Sequence, residues 1–497
     1  MNRKIIIALI AIVIIIGAGA FAFSNFTSNG AVNIDANALE DRGNLIVDAK
    51  NLDESMGLYH TDASDTNTIL IKNGGILKLA NSLINKTGDT QTSGDDADFY
   101  GVNSAILVNT NGTLDISNVE IETNSKGSNG IFVTNADSST SSDTSQEGSG
   151  SQPPEATGGE GGQGQQNGGE APEAPSGGGS QAPQTGGETS SVSGNTQATI
   201  KNVKITTHSD KSRGLDATYA GKITADNVII NTDGQSCAAL ATDRGEGEVT
   251  VSNSDINTGV SKTSGRGSPL IYSTGEITVE NTKGTSHVSQ IACIEGKNSI
   301  SLANCDLTGY GEGNRQDGDE YVDLGGIFIY QSMSGDADVG TSTFNATNSN
   351  LKIAEDSSVY GEAPMFHITN TACVINLENT KCEFGSGVFL EASSQSQWGT
   401  TGSNGGSVEL NTNNEDINGN VIVDSISSLT WNMQNTKFSG AINSTGTTNV
   451  VIDSGSTWTL TGDSTVSSLE VNGNIEYGEY TLTINGVEYS ASNPYNS

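Results

Sequence analysis

The stretch Gly221-Lys-Ile-Thr-Ala-Asp-Asn-Val-Ile-Ile-Asn-Thr232 places Ile223 and Ala225 two residues apart, Asn227 two residues on, and Ile230 three residues after the Asn. Apolar residues at a period of two make a strand with one face inside. Asn tolerates the left-handed backbone that β-branched residues avoid, so the chain is predicted to turn at Asn227. The plan recurs at Val249, Val251, Asn253, Ile256 and at Ile300, Leu302, Asn304, Leu307. Successive turning Asn residues 202, 227, 253, 281 and 304 lie 25, 26, 28 and 23 residues apart, which is the period of a solenoid.

In such a stack each Asn lies over its neighbour and can hydrogen-bond along the column, as stacked amides do. One internal ladder is therefore predicted through Asn81, Asn118, Asn202, Asn227, Asn253, Asn281, Asn304, Asn348, Asn379 and Asn435. A third strand per coil is read at Leu215, Leu240, Ile271, Ile294, Ile329, Ile368, Leu390, Val423 and Ile452, all facing inward. The reading gives an all-β fold, a parallel β-helix of about thirteen coils and about 60 Å at the usual strand spacing.

The domain plan follows from composition. Residues 1–23 form a signal or anchor segment: Arg3 and Lys4 precede the apolar run Ile5–Phe23, long enough to span a bilayer as a helix. The run ends in small residues that also suit signal-peptidase cleavage. A linker (24–43), amino-terminal coils (44–136), the main body with its cap (198–489) and a short tail (490–497) are expected. Residues 137–197 are a Gly, Ser, Pro and Gln-rich insertion with too little apolar surface to order itself. Taking out residues 137–197 restores the repeat period between Asn118 and Asn202. Trp458–Val471 is expected to close the rod, with Tyr477, Tyr480 and Tyr489 over the last edge.

Charge narrows the function. With 22 basic and 58 acidic residues the net charge is −36, which repels nucleic acid and suits an exported protein. The five Cys show no metal-binding spacing, and Cys373 with Cys382 is the one pair placed for a disulfide within a coil. Five Asn-x-Ser/Thr acceptors occur, at Asn25, Asn85, Asn111, Asn345 and Asn443.

The residues after the third-strand positions are predicted to face outward. Among them Asp216, Tyr272, Glu295, Tyr330 and Glu391 are candidate ligand-binding residues, because rings stack on sugar faces and carboxylates accept hydroxyl bonds. An adjacent apolar row (Leu270, Phe328, Phe389, Ile422, Val451) calls for a cover or a contact. Asp336 and Asp338 are the one candidate calcium pair, and no other cofactor is expected.

This coil grammar resembles the right-handed parallel β-helix of the pectin-lyase-like superfamily, and the whole chain resembles bacterial or archaeal cell-surface adhesin-like proteins of that fold. Trp458–Val471 resembles passenger repeats of pertactin-like autotransporters. The resemblance implies a cell-surface protein that binds a polysaccharide or a partner surface without catalysis, tied to the membrane by its amino-terminal segment or released after cleavage. A polysaccharide lyase or glycoside hydrolase on the same rod, and a structural spacer, are the other classes left open. Asp216, Asp243 and Arg244 have the residue types of a pectate lyase site. Asn231-Thr232-Asp233 matches a polygalacturonase strand motif, whose Gly-His-Gly and Arg-Ile-Lys partners are absent.

Overall fold

The computed structural model describes residues 34–92, 94–136, 194–262, 267–313, 316–317, 320–321 and 323–495. The segment Ile5–Phe23, residues 137–193 of the insertion read as 137–197, and Arg266 lie outside the described residues, whereas 194–197 are described and Gln197 already begins a strand. Among those described, no helix is long and apolar enough to cross a membrane.

Nearly all strands are parallel and stack rung on rung into a β-helix-like solenoid. Lys222–Thr232 lies in register between its neighbours, with Ile223 on Ala198, Ala225 on Ile200 and Ile230 on Ile205. Beyond the next turn Leu240–Thr242 pairs with Leu215–Thr218 on one side and Ile271–Ser273 on the other. Repetition of this rung builds a first sheet of 21 strands that bends at the Asn corner and a second sheet of 13 strands.

One continuous apolar cluster runs from Val47 to Ile484. Each aliphatic side chain removed completely from water there contributes about 1.5–3 kcal/mol. Toward the carboxyl end the filling becomes aromatic: Phe344, Phe366, Phe389, Trp431, Phe438 and Trp458 follow one another at centroid spacings of 5.7, 5.4, 6.3, 4.7 and 5.7 Å. Both buried indoles keep a partner, Trp431 donating to Thr412 Oγ1 and Trp458 to the Gly440 carbonyl, each at 3.0 Å.

The Asn column is real, but it is external. All ten predicted residues have φ between 46° and 55°, and Asn414 joins them at 56°. Their side chains are exposed or half-buried. Asn202 donates to Asn118 (3.1 Å), Asn227 to Asn202 (2.7 Å), Asn304 to Asn281 (3.2 Å) and Asn379 to Asn348 (3.1 Å). Asn253 leaves the column and donates to Asp226 at 2.7 Å. A left-handed residue resets the strand alternation, so two successive residues face out and the next faces in. The interior file is thus Ser82, Val119, Val203, Val228, Ser254, Thr282, Cys305, Ser349, Thr380, Glu415 and Thr436, all buried. Its oxygens accept from the rung below, as Ser254 Oγ does from Val228 N at 3.1 Å and Ser349 Oγ from Cys305 N at 3.1 Å.

A second amide file stands on the outer face of the first sheet, where Asn432 donates to Asn411, Asn411 to Asn376 and Asn376 to Asn345 at 2.8–2.9 Å. The acceptor Asn345 is therefore engaged on both sides, since it also donates to Ser301 at 2.9 Å. Cys373 and Cys382 are both free, as are the other three thiols, so the coil carries no disulfide. Cys373 packs against Val408 of the next rung and Cys382 against Leu351 of the one before, which separates them by strand.

The base of the insertion is clamped. Asn135 Oδ1 accepts from both Thr196 N (3.1 Å) and Thr196 Oγ1 (2.6 Å), and Gln197 resumes the stack opposite Thr113. At the far end Leu482–Ile484 and Val487–Tyr489 form an antiparallel hairpin. Tyr495 donates from its hydroxyl to the Leu469 carbonyl at 3.1 Å and packs edge-on to Tyr489.

Two outcomes test this account. Replacing Asn227 with Val, which resists the left-handed region, lowers stability by about 1–2 kcal/mol, whereas Gly at the same place is close to neutral; thermal melting distinguishes them, and an internal amide would make both costly. Glu415 stands in the interior file, where burial pushes its carboxyl up to about 7 although it accepts from Thr380 N at 2.8 Å. Its folded state holds a proton that the unfolded state has released, so the contribution of this group is greatest at acid pH and falls by about 3 kcal/mol as pH climbs to neutrality. Glu415→Gln removes that slope and raises the melting temperature at pH 8 but not at pH 4.

Candidate functional site

The outer face of the second sheet presents two columns of side chains, two residues apart. Register places Asp216, Ala241, Tyr272, Cys293, Phe328, His367 and Glu391 on one column. Glu295, Tyr330 and Thr369 form the other. The single column expected from the sequence merged these two, because the apolar residue read for each third strand holds the first inward position in some rungs (Leu215, Leu240, Ile271) and the second in others (Ile294, Ile329, Ile368). Ile294 stands over Ser273 rather than Ile271, and Ile452 belongs to the first sheet.

Much of the expected outer surface is covered. Asp216, Ala241 and Glu295 are buried, and Leu270 and Phe389 belong to the interior. Phe389 turns inward where the register shifts between Val388 and Leu390. Two covers explain the burial. One is the helix α1, Gly94–Tyr100, which rises between the strands ending at Thr87 and beginning at Ile106. It is tied down by Thr218 Oγ1, which donates to the Phe99 carbonyl at 2.8 Å, and by Tyr100 stacked on Tyr219 at 5.7 Å. The other cover is the pair of loops that carry Ser332–Asp338 and Trp398.

Between the covers lies a cleft of about 280 Å³. Under α1, Arg213 is held by three carboxylates: Asp98 Oδ1 at 3.0 Å, Asp243 Oδ2 at 2.7 Å and Asp216 Oδ2 at 3.5 Å. Lys211 adds a second cation to Asp98 at 2.9 Å. Burial alone would raise the Asp98 carboxyl, but Arg213 and Lys211 outweigh it and hold it below the usual range. Asp216 is fully enclosed, and desolvation pushes its carboxyl up to about 7 against the pull of Arg213. The same cause lifts Asp243 well above a normal carboxylate.

The opposite half is aromatic. Tyr272 donates its hydroxyl to Glu295 Oε2 at 2.9 Å, while Ser332 donates to Glu295 Oε1 through both its amide (3.3 Å) and its hydroxyl. Desolvation raises Glu295 even so. Tyr330 stacks on Phe328 at 4.7 Å and meets Trp398 at 4.8 Å. Asp336 closes the rim, paired with Arg244 at 2.7 Å, and the Arg244 guanidinium lies 3.9 Å over the Phe99 ring.

Of the five candidates, Tyr272, Glu295 and Tyr330 line this cleft, and Asp216 lies beneath its floor behind Arg213. Glu391 stands apart, accepting from Ser393 Oγ at 2.9 Å. Asp336 and Asp338 do not converge as a calcium pair: Asp338 goes to Lys297 at 3.0 Å while Asp336 goes to Arg244. Among the described residues no group of three or more His, Cys, Asp or Glu side chains is placed to hold a metal ion. The Asn231-Thr232-Asp233 motif is spent on the scaffold, with Thr232 Oγ1 donating to the Cys237 carbonyl at 2.6 Å and Asp233 accepting from Ser261 N at 2.7 Å. Residues that sequence reasoning left unplaced are Asp98 and Phe99, which arrive on a polar excursion outside the repeat, and Trp398, which arrives on a loop. Only their departure from the repeat could have marked them.

The chain matches no protein-family model and no curated protein.

Arg213 is the electrostatic centre of the cleft. Arg213→Met leaves the enclosed Asp216 and Asp243 without their counter-charge, while Asp98 keeps Lys211, at a cost of about 3–5 kcal/mol when they are ionised. Because protonation relieves that repulsion, the loss in melting temperature is larger at pH 8 than at pH 5; equal losses at both would refute the role given to this ion cluster.

Proposed function

We propose that this chain is an exported, cell-surface β-helix that binds a glycan in the cleft on its second sheet, without chemical turnover. Its coils are those of a right-handed parallel β-helix of the pectin-lyase type, and the segment Ile5–Phe23 directs export, as an anchor or as a removed signal. The binding surface is a bounded cleft, not the whole outward column of candidates from Asp216 to Glu391. One observation carries this reading: Tyr272, Tyr330 and Trp398 gather around Glu295 and Asp243 in a single concavity. Rings of this kind stack on the apolar face of a pyranose, while carboxyl and hydroxyl groups beside them hydrogen-bond its rim.

A hydrolase reading has one observation in its favour, since Asp243 and Glu295 both line the cleft with raised carboxyls, as a general acid requires. Against it, Asp243 is committed to Arg213 and Glu295 to Tyr272 and Ser332.

A glycan array separates the two. Binding to one class of oligosaccharide is expected, weakened at least tenfold by Tyr272→Ala and by Tyr330→Ala with no change in far-ultraviolet circular dichroism. Absence of binding to any glycan counts against the reading. Release of reducing or unsaturated ends from the bound glycan, abolished by Asp243→Asn, would replace it with the enzyme.

A further inference from the structure

Glu295 is fully engaged within the protein. A carboxylate has about four lone-pair sites. Oε1 accepts from Ser332 N (3.3 Å) and from Ser332 Oγ, Oε2 accepts from the Tyr272 hydroxyl (2.9 Å), and Tyr330 is hydrogen-bonded to the same carboxyl. The two phenols belong to the rungs themselves. Ser332 belongs to a loop, and its hydroxyl gives Glu295 the kind of bond that a sugar hydroxyl gives. The loop goes on as a strap across the cleft. Ser334 N donates to Ser332 Oγ at 3.0 Å, Ser334 Oγ donates to Asp336 Oδ2 at 2.9 Å, and Arg244 donates to Asp336 Oδ1 at 2.7 Å. One polar relay therefore runs from Glu295 to Arg244, which lies over the Phe99 ring of α1. The roots of the strap are fixed separately: Gln331 Nε2 donates to the Ala337 carbonyl at 3.3 Å and Lys297 N to the Asp338 carbonyl at 3.0 Å.

The middle of the strap is held down by polar bonds more than by packing. Met333 is 61 % exposed and Val339, just past the strap, is 69 % exposed, so lifting it strips few apolar contacts. Met333 also stands left-handed, at φ 65°, a conformation that is costly for a residue with a side chain and that persists where surrounding contacts enforce it, as at ligand clamps and switches. Its side chain is in water, so the enforcing contacts are the bonds of Ser332 and Ser334 on either side. Gly335 follows at φ 90° with open space around it, which gives the strap a joint. We propose, on the footing that the cleft is the glycan site, that Ser332–Asp338 is an autoinhibitory strap: Ser332 occupies on Glu295 the place of a ligand hydroxyl, and the cleft takes its ligand when the strap lifts off Glu295 and Arg244. The phenols of Tyr272 and Tyr330 stay on Glu295 in the open state and keep its carboxyl aimed at the ligand.

Alkylation of the full chain with iodoacetamide, read by peptide mass mapping, follows the strap without any ligand. Cys293 lines the cleft, whereas Cys373 lies in the core and reports global unfolding. Ser332→Ala and Asp336→Ala are expected to speed modification of Cys293 about fivefold or more, with Cys373 and the melting temperature unchanged. About 0.5 M salt speeds it in the unaltered chain, because the half-buried Asp336–Arg244 pair is screened. An unchanged Cys293 rate in both variants overturns the strap, and so does a rise shared with Cys373. Isothermal titration with neutral gluco-, manno- and galacto-oligosaccharides then tests what the strap withholds. Both variants are expected to bind about threefold tighter or more, since less of the binding free energy goes into displacing Ser332. Equal or weaker binding by the variants makes Ser332 part of the binding surface and overturns the autoinhibitory role. Binding of no oligosaccharide by any form, with Cys293 still accelerated, removes the glycan reading and leaves the strap in place.

Discussion

Each rung of this protein satisfies its backbone by bonding to the rung on either side, in strict parallel register. A parallel strand has no partner of its own in local sequence, so the stack is stable only if every rung bends at the same places and turns the same faces inward. Left-handed Asn corners meet that demand. They let the chain change direction without breaking the ladder, and they reset the alternation so that the following residue points into the core. The interior hydroxyl file exists because of that reset, and so does the external amide column.

The cleft depends on the same constraint in a different way. Since every third strand lies flat and in register, side chains from successive rungs stand about 4.8 Å apart on a common surface. That brings Asp216, Tyr272, Glu295 and Tyr330, far apart in sequence, onto one face. The scaffold alone would leave them in water. Helix α1 and the loop bearing Trp398 enclose them, and enclosure changes their chemistry: carboxyls lose hydration, bind protons or seek cations, and the rings gain edges to pack against.

The insertion and the cleft show how a solenoid accepts additions. Excursions leave from the turns between rungs, where no ladder bonds are lost, and the stack resumes in register beneath them. Asn135 and Thr196 close one such exit within hydrogen-bond distance. Thr87 and Ile106 bound another, and in that case the added chain folds back over the sheet as α1 and contributes Asp98 to the ion cluster.

The repeat alone determined that this chain is a stack of parallel coils and which Asn residues turn them, because those features rest on local backbone preference and on the period of apolar residues. The internal placement read for the Asn column was overturned, since an outward amide column and an inward one have the same spacing. The repeat also merged two outward columns of the second sheet, because the apolar residue taken as the marker of each third strand changes inward position from rung to rung. Tertiary structure settled these, and it assembled the cleft. The grouping of Asp98, Arg213, Asp216 and Asp243 depends on an excursion packing across rungs, and no local periodicity encodes a contact made between residues 115 positions apart.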